Sequence, residues 1–177
     1  MRERHETIRA RDGIATRGPR DAGEWLTTIP AYAACGWGVV FAVAHLYWVL
    51  GGTLGLPPGL SLFAKKPLLV IDIIAIPLCI SAALLALALV QPQGRRFSHR
   101  LLLTAAWSAT ALFVVHAVPS IPDWVGLALG LRTAALTPMN RFSLFLYEPW
   151  FLTGGILFGV GTWCYQRQSR DRRVGVR

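Results

Sequence analysis

Four long apolar blocks divide this chain, separated by short stretches rich in glycine, proline and charge. They run Ala31 to Leu50, Leu68 to Val90, Leu101 to Val118, and from about Phe142 to Tyr165. At 1.5 Å rise per residue, about 20 apolar residues cross the hydrocarbon core of a bilayer. The residues are apolar all round and do not recur at the step that would bury a single stripe. The breaks are marked by Gly51-Gly52, Pro67, Pro92, Pro119 and Pro122. Pro149, early in the fourth block, suits a first helical turn, so the regular helix is expected to begin there. The predicted fold is all-α, a bundle of four transmembrane helices. The first block is too long for the apolar region of a signal peptide, and no clean small-x-small cleavage site follows it, so it reads as a retained span.

The connections add detail. Residues 123–136 place Trp124, Leu127, Ala128, Leu131 and Ala135 at helical spacing, with Asp123 as an N-cap. This predicts a short interfacial helix between spans three and four, serving either as a lid or as an anchor flat in the headgroups. Residues 51–67, GGTLGLPPGLSLFAKKP, are apolar but broken by Gly and Pro, and are expected on the bilayer surface. Residues 1–24 mix Arg2, Arg4, Arg9, Arg11, Arg17 and Arg20 with acidic residues and read as a mobile tail. A contact with anionic lipid or a partner is the functional alternative for that tail. The membrane domain is then 25–166, and 167–177 form a second basic tail.

The composition, 54% apolar with a mean hydropathy of +0.46, agrees with a membrane protein. The formal charge of +9 raises the question of nucleic acid. No aromatic–basic module for stacking bases is present, and the arginines sit in tails and one loop, so no nucleic-acid partner is assigned. Arg95, Arg96 and Arg100 share a side with both tails, against Lys65, Lys66, Arg132 and Arg141 opposite. The positive-inside rule therefore puts both termini in the cytoplasm. Cys35, Cys79 and Cys164 make no CxxC pair, which argues against a disulfide-relay enzyme of the vitamin K epoxide reductase kind. Walker loops and Rossmann glycines are absent as well.

Against this apolar background, four ionisable residues share one level. His45 lies roughly 7 Å inside the outer end of span one and Asp72 roughly 6 Å inside span two at helical rise. His116 is near the outer end of span three, and Glu148 lies in the first turn of span four. Ionisable side chains are costly in hydrocarbon, so one per helix at one depth marks a candidate polar pocket. Pro77 frees the carbonyl of Ile73, and Pro149 that of Phe145, at the same level. Glu148 is the expected acid or base, with His45 and His116 as partners and Asp72 orienting one of them. Tyr47, Trp48, Trp124, Tyr147 and Trp150 would line the head region. Polar residues near helix ends also snorkel to water, which leaves an interfacial reading open. The residues lack HxxxH or ExxH spacing, so no metal or other cofactor is assigned. Gly155 and Gly159 form a GxxxG pair, for packing within the chain or in a homo-oligomer.

The runs GWGVVFAVAHLYWVLGGTLGL (36–56) and LYEPWFLTGG (146–155) resemble an uncharacterised family of small four-helix membrane proteins of actinobacteria. That resemblance implies four spans in a bacterial plasma membrane and brings no known activity. Three functions fit these expectations. One is a small enzyme or binding protein for an amphiphilic or lipid-like molecule; the others are a proton-coupled transporter and an accessory subunit without a site.

Overall fold

A computed structural model describes residues 19–131 and 135–174. Its described residues form helices and turns, with no strand. The long helices are α1 (Pro19–Val49), α2 (Lys66–Ala88), α3 (His99–Ala117) and α6 (Glu148–Val174). Between α3 and α6 lie two short ones, α4 (Ile121–Ala128) and α5 (Pro138–Phe142). Four helical stretches are long and apolar enough to cross a membrane, the build of a multi-pass membrane protein. The start of α1 and the end of α6 lie at one end of the bundle; the opposite end is the distal end.

Although each block is apolar all round, each helix buries one stripe. On α1 the buried positions include Ala31, Ala34, Trp37, Phe41, His45 and Trp48, while Val39, Val40, Val43 and Leu46 stay exposed for lipid. On this stripe small and aromatic residues face protein, while the valines and leucine between its positions face outward. Lipid is as apolar as leucine, so packing and close approach decide which face is buried. Gly38 sits against the backbone of Cys79 and Ala83 on α2, and a Cβ there would lie 3.0 Å from the Cys79 carbonyl oxygen. Gly155 lies against Val114 and Gly159 against Thr110, so the GxxxG pair packs on α3 of the same chain. Trp37 stands at the centre, 4.8 Å from Phe113 between ring centroids, and donates its indole N–H to the Trp150 carbonyl at 2.9 Å. The helices are thus arranged α2–α1–α6–α3, with extensive contact along that series and little between α2 and α3.

Several details differ from the expectations. The first described residues are already in helix α1, so residues 19–24, assigned to the tail by their charge, are helical. Residues 1–18, 132–134 and 175–177, with Arg132 and most of the tail arginines, lie outside the described residues. The short helix between the third and fourth long helices exists, but Asp123 lies within its first turn and does not cap it, because Pro122 takes an early helical position. That helix stops at Ala128, where Gly130 adopts φ +66°, so Leu131 and Ala135 are not on its face.

Helix α6 is preceded by a π-helical turn, Ser143–Tyr147. Here the Glu148 N–H goes to Ser143, and Pro149 has no N–H to give. The expected break at Phe145 therefore extends to the Leu144 carbonyl, which accepts the indole N–H of Trp124 at 2.9 Å. Helix α4 is tied by that bond over the start of α6.

Candidate functional site

His45, Asp72, His116 and Glu148 all stand at the distal end, but they form two pairs instead of one cluster. His45 Nε2 lies 3.6 Å from Asp72 Oδ1 across the α1–α2 contact. His116 Nδ1 lies 3.2 Å from Glu148 Oε2 across the α3–α6 contact. Tyr147 stands between them, its ring 6.4 Å from that of His45 and 6.0 Å from that of His116. Among the described residues, no three His, Cys, Asp or Glu side chains converge as a metal ion would require.

Local structure sets the proton positions. The His45 side chain is on the buried stripe of α1 and 1% exposed. Its Nδ1 lies 2.8 Å from the Phe41 carbonyl oxygen, which only accepts, so Nδ1 carries the hydrogen. Nε2 therefore presents a lone pair to Asp72 unless it is protonated. At 3.6 Å the two groups face each other across the helix contact without a direct hydrogen bond, in a site closed to water. The second pair is built differently. Glu148 Oε2 accepts from His116 Nδ1–H, and Oε1 accepts from the Ser143 hydroxyl at 3.3 Å. The His116 ring stacks on Phe151, 3.8 Å between centroids at 7°. Glu148 and Phe151 lie three apart on α6, so one helix face supplies both the carboxylate and the platform. With Nδ1 committed, Nε2 of His116 is the available edge, and that side chain is 40% exposed.

The five aromatic residues expected at the head region divide. Tyr147 joins the two pairs. Trp48 lies 5.3 Å from His45 ring to ring and donates to the Leu54 carbonyl at 2.9 Å. Tyr47 is turned away, its ring over Gly52 and its hydroxyl accepting from the Leu54 N–H at 3.4 Å. Trp124 holds α4 to Leu144. Trp150 packs on Trp37 and Phe41, and its buried indole nitrogen has no partner. Ser143, Phe41 and Phe151 were not singled out by sequence. The signal was present for Phe41 and Phe151, which stand four before His45 and three after Glu148. Ser143 reaches Glu148 only through the π turn.

Residues 38–158, from within α1 to the middle of α6, match the family model described as Protein of unknown function (DUF3995). The chain belongs to that family. No curated protein and no solved structure is significantly similar to it. The DUF3995 match takes in both histidine–carboxylate pairs and Tyr147, and leaves out the terminal segments.

Below the pairs, the sparse contact between α2 and α3 leaves a crevice of about 260 Å³. His45 and Tyr147 line its distal end, and Phe41, Phe113 and Phe151 are among its walls. A smaller void of about 120 Å³ lies among Val40, Phe41, Trp48, Tyr147 and Trp150. The site thus pairs polar groups able to exchange protons with apolar space that runs toward the middle of the bundle.

Proposed function

We propose that this chain binds the polar head of an amphiphile at the outer leaflet of a bacterial plasma membrane and carries out acid–base chemistry on it. The observation that carries the reading is the His116–Glu148 pair, with its tautomer set by the carboxylate and its Nε2 edge exposed beside Tyr147. In this scheme His116 accepts or delivers the proton, and Glu148 fixes the tautomer and orients the ring. The roles are thus divided more sharply than the spacing implied, with the carboxylate behind the imidazole. His45 and Asp72 form a buried second pair that fixes the other side of Tyr147. The arginine distribution supports an extracellular distal end. A proton-coupled transporter fits less well, because coupling residues in such proteins lie near the bilayer midplane.

Native mass spectrometry of protein released from mild detergent tests the reading, comparing wild type with His116→Ala/Glu148→Gln. A lipid or small molecule retained by wild type and lost from the variant supports a head-binding site and names its class. Equal occupancy in both, or none in either, leaves the pairs as ties between helices and overturns the proposal.

A further inference from the structure

We propose that the crevice between α2 and α3 is a tail subsite that admits one hydrocarbon chain of an outer-leaflet phospholipid sideways from the bilayer. This rests on the head-binding reading above and adds a ligand class to it. The gap lies where two spans barely touch, with α1 and α6 behind it, so its mouth faces lipid and not water. Leu78 and Leu112 form the lips and are 59% and 62% exposed. Deeper in, small side chains leave room: Ala75, Cys79, Ala82 and Ala109.

Three features select a single chain. Of the polar lining groups, His45 and Tyr147 stand at the distal end and only the small hydroxyl of Ser81 lies further down α2, so a head belongs at the distal end and a tail below. Along α2 the crevice extends from Ala75 to Leu85, about 15 Å at helical rise, which is half of a ~30 Å hydrocarbon core. It therefore reaches as deep as one leaflet's chain. Its 260 Å³ falls below the roughly 300–1,000 Å³ of pockets that hold compact ligands, which suits one slender chain. An apolar void stays dry and takes up hydrocarbon, and in a bilayer hydrocarbon is the adjacent solvent.

The experiment offers the purified protein mixed micelles containing phosphatidylglycerols with short, medium and long saturated chains, and reads the retained species by native mass spectrometry. Ala109→Leu fills the inner end and is expected to shift the long-to-short ratio toward short chains by about tenfold, the effect of two methylenes losing their burial. Leu85→Ala opens the same end and is expected to shift the ratio the other way. Helical circular dichroism checks that each variant is folded; if Ala109→Leu is not, Leu85→Ala alone decides between the outcomes. Glu148→Gln serves as the head variant and is expected to lower total retention with the chain ratio unchanged. Intact retention in Glu148→Gln with a shifted ratio in the crevice variants would sink the head reading and keep the tail subsite. An unchanged ratio in both crevice variants, or wild type that retains only detergent, overturns the tail subsite.

Discussion

Replacing the buried pair His45–Asp72 singly and together gives the sharpest test of the distal architecture. The two groups face each other at 3.6 Å, with side chains 1% and 12% exposed, so water screens them little. Unit charges at that separation in a medium of effective dielectric ~20 attract by about 5 kcal/mol. Desolvation of both groups offsets much of this, so the intact pair adds little net stability over leucines. Removing one partner is different, because it leaves a buried polar group facing nothing. Asp72→Leu and His45→Leu are each expected to cost ~3–5 kcal/mol, and the double variant far less than their sum. The Phe41 carbonyl keeps the helical bond from the residue 45 N–H in every variant, so loss of its second donor contributes little. Unfolding by increasing sodium dodecyl sulfate in mixed micelles, followed by far-ultraviolet circular dichroism, gives the four free energies. Costs that simply add in the double variant would show that the pair does not interact and would refute the argument.

Other positions give independent checks. A Cβ on Gly154 would lie 2.5 Å from the Trp37 indole, so Gly154→Ala is expected to cost about 1–3 kcal/mol in the same titration. Gly126 has open space around it, and Gly126→Ala is expected to be neutral or to stabilise by up to about 1 kcal/mol. Trp124→Phe removes the donor to the buried Leu144 carbonyl, at about 1–3 kcal/mol. Hydrogen exchange across residues 121–131 and 138–147 should then quicken at least several-fold while α1 and α2 are unchanged; a uniform pattern would show that Trp124 is no latch. Thr162 is fully buried and its hydroxyl has no partner, so Thr162→Val is expected to stabilise by about 1 kcal/mol or more, read as a higher melting temperature in detergent.

Four spans, a short helix between the third and fourth, and a shared level for His45, Asp72, His116 and Glu148 were legible in the sequence. The reason is a length match: bilayer thickness sets how many apolar residues a crossing needs, and distance from a span's end then sets depth. Pro149 also announced the irregular start of α6, whereas Pro77 sits inside the unbroken helix α2. Which histidine meets which carboxylate was not legible, because blocks that are apolar all round carry no stripe to show which face turns inward. Packing of Gly38 on Cys79 and Ala83 brings His45 to Asp72, and packing of Gly155 and Gly159 on α3 brings His116 to Glu148. The π turn, its bond to Trp124 and the open seam between α2 and α3 likewise arise only when the helices meet. Close approach of backbones is a property of pairs of helices, and no single block of sequence contains it.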